Sequence, residues 1–253
     1  MRIITLLLAL VLLGCQSERS SNSNKEAYRL KPIKNYKKEH HLFLNYYFGM
    51  TIEEYETATK HNFMTRKLYL PGEKDQCDLS HYSHHHHTHQ DIENINYHSN
   101  VYYAFSLDDE EFEASLKPVF KYEKLIRLEM QTLNCFTFGN HSHDFYRRKI
   151  ASTRKALIDL HQQEFGRYSV TPKKHNLDEM AVIANAGVNI SHFDTNKYTF
   201  KHQNKVVTIE QKCCDFKPLV IYSHAEFLEI QKQPDTPEKL EREFKLFNSV
   251  EAI

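Results

Sequence analysis

Leu125-Ile126-Arg127-Leu128-Glu129-Met130-Gln131-Thr132 decides the fold class. From Ile126 onward, apolar and polar side chains alternate. Ile126, Leu128 and Met130 fall on one face, and Arg127, Glu129 and Gln131 on the other. That period of two describes a strand covered on one side and wet on the other. Just upstream, Val101-Tyr102-Tyr103-Ala104-Phe105-Ser106-Leu107 is rich in strand formers, and Asp108-Asp109-Glu110 supplies a turn. Phe112, Ala114, Leu116, Pro118 and Phe120 then alternate with polar residues, Pro118 being tolerable near a sheet edge. Three such runs at short spacing predict an antiparallel meander.

The pattern changes on both sides of the meander. Downstream, a helix is expected from about Asp144 to Phe165, with Tyr146, Ile150, Leu157 and Leu160 on its buried stripe. Phe145, Ile158 and Phe165 lie beside that stripe, His161 falls at its boundary, and Gly166 is the stop. Asn176-Leu177-Asp178-Glu179 reads as a capping box opening a short helix to Gly187. Strands follow at Tyr198-Thr199-Phe200, Val206 to Gln211 and Leu219 to Tyr222, then helices at Ala225–Gln231 and Pro237–Val250, with Pro237 in a first helical turn.

Upstream, Thr51-Ile52-Glu53-Glu54 is a capping box with Met50 and Tyr55 placed as a hydrophobic staple, opening a helix to about Lys60. Phe63 to Leu70 reads as a strand ended by Pro71-Gly72. The expected fold is α+β: an antiparallel meander sheet with helices packed on one face, in the order helix-βββ-helix-βββ-helix. It occupies 40–253 as a single domain with a polar loop at 72–99.

The N-terminus carries a different message. After Met1 and Arg2, the apolar run Ile3 to Leu13 is broken only by Thr5. Eleven helical residues rise about 16 Å, half of a bilayer's hydrocarbon thickness, which suits the apolar core of a signal peptide. The run closes on Leu12-Leu13-Gly14-Cys15. This resembles the lipobox of bacterial lipoproteins. The resemblance implies removal of 1–14 after Gly14, diacylglyceryl transfer to the Cys15 thiol and acylation (palmitate) of the new amino terminus. Gln16 to Asn24 contains no apolar residue, so 15–39 reads as a lipidated cysteine on a flexible tether. The implied address is the cell envelope, lipid-anchored, with Gln16 and Ser17 pointing to the outer membrane by similarity to sorting rules.

Composition narrows the function classes. The chain has 16 Phe and 15 Tyr but no Trp, and its 33 basic residues balance 33 acidic ones, so no net field points to nucleic acid. With 6 glycines it has no phosphate-cradling loop, and no His-Glu-x-x-His or Gly-x-Ser-x-Gly occurs. No catalytic residue is assigned, and no cofactor is required. The 17 histidines stand out. Six of them crowd into nine residues, at His81, His84, His85, His86, His87 and His89, and imidazole nitrogens suit Zn²⁺, Ni²⁺ or Cu²⁺. A divalent transition metal is therefore the candidate ligand. His141 and His143 flank Ser142 ahead of the long helix, and His40, His41 and His61 have no spacing partner. Apart from Cys15, four cysteines remain, Cys77, Cys135, Cys213 and Cys214; export permits disulfides, and spacing does not choose among the pairings.

Gly49-Met50-Thr51-Ile52-Glu53-Glu54 resembles the start of SmpA/OmlA-type envelope lipoproteins and of the β-lactamase-inhibitor-protein-like fold. There, a Gly-Met-Thr/Ser turn caps a helix lying on an antiparallel sheet. The resemblance implies a non-enzymatic binding or accessory role with an envelope protein as partner, while the membrane is the partner implied by the acyl chains on Cys15. It carries over no functional residue.

Overall fold

The computed structural model describes residues 30–70, 92–107, 110–133, 143–172, 196–211 and 218–251. Among them the chain is α+β, with a seven-stranded antiparallel sheet, a two-stranded hairpin and four α-helices. A 3-10 turn, Lys38–His40, leads into the hairpin of β1 (His41–Phe43) and β2 (Tyr46–Tyr47), followed by α1 (Ile52–Met64). The meander is β3 (Val101–Leu107), β4 (Glu110–Lys121) and β5 (Lys124–Leu133). Next come α2 (His143–Phe165), β6 (Tyr168–Pro172), β7 (Asn196–His202), β8 (Lys205–Gln211) and β9 (Pro218–His224). Helices α3 (Ala225–Gln231) and α4 (Pro237–Asn248) close the fold.

The sheet order β3-β4-β5-β9-β8-β7-β6 puts β9, the last strand in sequence, at the centre beside β5. The two meanders therefore meet through β5 and β9, in the register Leu128↔Tyr222 and Met130↔Val220. One row of side chains crosses the sheet from Leu128 through Tyr222, Val207 and Phe200 to Tyr168. The first four are buried, and Tyr168 at the edge is 37% exposed. The alternation read at Ile126 to Gln131 holds, since Leu128 and Met130 are buried while Arg127 is exposed.

On the buried face lie the hairpin, through Phe43 stacked on Tyr222, and α2, through His161 against Tyr222 and Phe200. Tyr55 of α1 stacks on Tyr46 of the hairpin. The capping box at Thr51 forms as read: Glu54 N donates to Thr51 Oγ1 at 3.2 Å and Thr51 N to Glu54 Oε2 at 2.7 Å. Among the described residues no helix is long and apolar enough to cross a membrane.

Several expectations are corrected. The expected strand Phe63 to Leu70 does not form: Phe63 and Met64 close α1, which runs that far because Tyr55, Thr59, Asn62 and Phe63 are buried along it. A turn at Thr65 and Arg66 follows. What remains extended is one bridge, Tyr69 to Tyr102. On α2, Leu160 is 41% exposed, and His161, expected at the boundary, is buried at 2%. The helix-βββ-helix-βββ-helix order gains the initial hairpin and a fourth strand, β6, in the second group. The turn at Asp108-Asp109 and the helix expected at Asn176 to Gly187 lie outside the described residues. Within the expected tether, Tyr36 already stacks on Tyr47 and bonds to Glu54 at 2.6 Å; within the expected 72–99 loop, Ile92 and Ile95 are buried.

Gly49 adopts φ +84°, and a Cβ there would sit 2.9 Å from Val250 Cγ2. Gly166 has a similar φ of +77° with nothing within 4 Å. Gly49→Ala should cost about 2–4 kcal/mol and lower Tm by roughly 5–10 °C, since backbone strain and overpacking add. Gly166→Ala should cost only about 1 kcal/mol. Thermal unfolding of the two variants measures the difference, and equal losses would remove Val250 from the account.

Candidate functional site

Chemistry gathers where the hairpin crosses β9. The 3-10 turn delivers His40, β1 delivers His41 and Phe43, and the period of two along β9, a strand buried on both faces, places Tyr222 and His224 on the same face. Beside them lie His161 from α2 and Lys205 from β8, whose register partner is His224.

His40 and His224 form a buried pair. His40 Nδ1 and His224 Nε2 are 3.0 Å apart, and the rings stack with centroids at 4.9 Å. One nitrogen must donate and the other accept, so the two rings carry complementary tautomers and cannot both be protonated; burial, which lowers both, favours the neutral pair. Phe48 stacks on His224 at 4.6 Å and on Phe247 at 5.4 Å, adding aromatic plates to the pair. The outer nitrogens are poorly provided for. His40 Nε2 lies 3.5 Å from Glu39 Oε1 without hydrogen-bond geometry, and His224 Nδ1 has no hydrogen-bond partner among the described residues. Burial pushes His224 down to about 4, and the charge of His40 adds to the shift. Burial also lowers His40, against a smaller upward pull from Glu39.

His161 is a second fixed imidazole. Its Nδ1 donates to the Leu157 carbonyl at 2.7 Å, which leaves Nε2 as the acceptor for the Tyr222 hydroxyl at 3.1 Å. Burial lowers His161 and raises the Tyr222 phenol far above its ordinary value, so neither changes charge near neutrality. The Lys205 ammonium sits 4.9 Å from the Phe165 ring centroid and 5.5 Å from that of Tyr222, with Glu164 at 3.3 Å. Burial lowers it despite Glu164. His41, also lowered by burial, donates Nε2 to the Leu44 carbonyl at 2.6 Å.

This seam is an interior network of neutral imidazoles, one phenol and one paired ammonium. It can hold protons in place, and it becomes costly when acid charges it. A cleft of about 290 Å³ lies elsewhere, at the start of α1. Its charges are internally matched, Lys31 with Glu53 at 2.6 Å and Lys34 with Glu54 at 2.5 Å.

The residues singled out from sequence fall elsewhere. Cys15, Cys77, Cys135, Cys213 and Cys214 lie outside the described residues, as do His81, His84, His85, His86, His87 and His89. Their neighbours are anchored on both sides: Tyr69 and Tyr102 exchange backbone bonds of 3.1 and 3.0 Å, and Ile92 and Ile95 enter the core. Among the described residues no group of three or more His, Cys, Asp or Glu side chains gathers as for a metal ion. Sequence reading missed the His40–His224 pair, whose members are 184 positions apart. The adjacent signal was a histidine at the end of an apolar strand, Pro218 to His224, where burial continues to the last residue. No protein-family model, curated protein or solved structure matches the chain.

Between pH 6.5 and about 4 the unfolded chain binds a proton at His224 that the folded chain refuses. The stability held by this group is therefore full above the unfolded value and declines as the pH falls. By the folded value it is lost, a change on the order of 3 kcal/mol. The double variant His40→Leu/His224→Phe leaves neither partner unpaired and should show a shallower decline. Urea unfolding at several pH values across that window tests this, and parallel curves for the two proteins would dismiss the pair as the source.

Proposed function

We propose that this chain is a lipid-anchored protein of the cell envelope that works by binding another envelope protein, not by catalysis. The observation that carries the anchoring is the apolar run closing on Leu12-Leu13-Gly14-Cys15, followed by a stretch free of apolar residues from Gln16 to Asn24. On this reading the acyl chains on Cys15 hold the domain at the membrane, and the outer membrane is the address toward which Gln16 and Ser17 point.

The proposed contact surface is the edge strand β6. All five of its residues, Tyr168 to Pro172, are exposed, and its partner on the inner side is β7. Val170 is 49% exposed and shares a face with Tyr168. An edge strand with no outer partner among the described residues and with apolar side chains suits an extended segment added as a further strand, and Pro172 limits how far pairing runs.

A second reading has its own observation. Six histidines within His81 to His89 favour a metal-binding lipoprotein that captures Zn²⁺, Ni²⁺ or Cu²⁺ in the envelope. Replacing His84 to His87 with serine should then abolish metal retention at micromolar metal. Unchanged retention removes this reading.

For the first reading, a photo-crosslinking phenylalanine analogue in place of Tyr168 should trap one discrete species in intact envelopes. Val170→Lys should abolish the trap without moving the protein. Cys15→Ala should abolish it while releasing the protein from the membrane. A trap indifferent to both substitutions refutes the anchored edge-binding reading.

A further inference from the structure

The turn between β4 and β5 is a two-residue hairpin closed by the Lys121↔Lys124 pair. Both of its residues, Tyr122 and Glu123, are left-handed, with φ of 51° and 59°. Such turns favour Asn-Gly, because a side chain with a Cβ is strained there. A bulky aromatic kept at a strained, exposed position is a pointer to function. Tyr122 is 50% exposed and stacks on Phe244 of α4 at 5.4 Å and 25°. Phe244 is 46% exposed, and Leu240, one turn earlier on α4, is 41% exposed. The ammonium of Lys121, fixed by both carboxylate oxygens of Glu243 at 2.7 and 2.8 Å, lies 5.1 Å from the Tyr122 ring centroid. The result is a rigid apolar patch, not three scattered side chains.

The patch lies at the end of the molecule where the N-terminal segment joins the fold. Lys124, two residues from Tyr122, bridges to Thr51; Thr51 and Glu54 make the capping box, and Glu54 also receives Lys34 and Tyr36. Lys37 N donates to the carbonyl of Val250, just beyond α4. About sixteen residues separate Cys15 from Lys31, a span of at most about 55 Å.

We propose that the Tyr122–Phe244–Leu240 patch seats on the lipid–water interface of the membrane that holds Cys15. The inference rests on the lipid-anchor reading above. Tyr, Phe and Leu are the side chains that suit the boundary of headgroups and acyl chains. The short tether keeps the patch within reach at high effective concentration, so a small apolar area suffices. Flanking charges are mixed, Lys124, Arg242 and Lys245 against Glu123 and Glu241. The seat is therefore apolar, and salt should leave it in place. Another exposed apolar group, Leu160, Tyr168 and Val170, belongs to α2 and the far edge of the sheet, remote from the tether's point of entry.

Because the chain has no tryptophan, Tyr122→Trp, Phe244→Trp and Tyr168→Trp are each single reporters. The full, membrane-processed protein carrying each substitution is reconstituted in phosphatidylethanolamine–phosphatidylglycerol vesicles containing lipids brominated near the headgroup. Intact mass is measured first. With acyl mass present, emission from positions 122 and 244 should shift to the blue and be quenched by bromine, at low and high salt alike, while position 168 stays red and unquenched. Leu240→Ser in the Tyr122→Trp protein should lower the quenching. Acyl mass with unquenched tryptophan at 122 and 244 overturns the seat alone. A blue shift that follows protein concentration and ignores lipid marks a second copy of the chain on the patch and also overturns it. Absence of acyl mass overturns the anchor reading and the seat with it.

Discussion

Gly49 is the point at which four parts of the chain are held together. Its amide donates to the Leu125 carbonyl at 2.8 Å, and the Leu125 amide returns a bond to Met50 at 2.7 Å. The Val250 side chain occupies the space a Cβ would need, and the Val250 carbonyl accepts from Lys37 at 3.0 Å. The start of β5, the cap of α1, the N-terminal segment and the C-terminus thus meet at one residue without a side chain. Any larger residue must push Val250 away from a positive-φ backbone, so the constraint is steric and conformational at once. The hairpin's position over β9, and with it the contact between His40 and His224, follows from this junction.

The interior that results is unusual in using imidazoles as packing plates. Each of these histidines offsets part of its desolvation through a hydrogen bond: His161 to Leu157 and half-buried His41 to Leu44, where the carbonyl fixes the tautomer, and His40 to His224, where the two tautomers must be complementary. The balance is least complete at His224, whose Nδ1 has no hydrogen bond among the described residues. There the flanking plates of His40 and Phe48 supply dispersion in place of a second bond. Such an interior is stable while its imidazoles are neutral, and its acid sensitivity is concentrated where the bonding is poorest.

Local period made the central sheet legible. From Leu128 to Thr132 alternate residues of β5 are buried, and a single stretch of that kind already implies a covered face and a wet one. The α1 start was legible because Thr51 and Glu54 satisfy each other within one turn. Strand β6 was not, since all five residues are exposed and its existence depends on pairing with β7, far away in sequence. The stripe of α2 was half hidden because polar Thr153 and His161 stand in it with Leu157, four residues apart, while apolar Leu160 faces water. The end of α1 was misread for a related reason: Thr59 and Asn62 are buried with Tyr55 and Phe63, so polar residues carry part of the helical period. The seam at His40 and His224 had no local signal, being a product of where the hairpin lands.

Strand register also fixes how an anchored molecule would present its edge. Tyr168 is level with Leu128 through Phe200, Val207 and Tyr222, and Val170 is level with Met130 through Tyr198, Ile209 and Val220. Both lie up the strand axis from the turn at Tyr122 and Glu123. Leu128 is four residues beyond Lys124 and Met130 six, a rise of about 14 and about 20 Å. In the other direction, β6 is four strand positions from β5, about 19 Å across the sheet. If the domain rested on Tyr122 and Phe244 as proposed, β6 would stand clear of the headgroups, where an extended segment could reach it from water. Turned over, with β6 toward the bilayer, the sheet would bury that edge and lift the entry point of the tether to the far end. On the lipid-anchor proposal, the span from Cys15 would favour the first arrangement, in which the proposed anchor and the proposed edge contact are compatible.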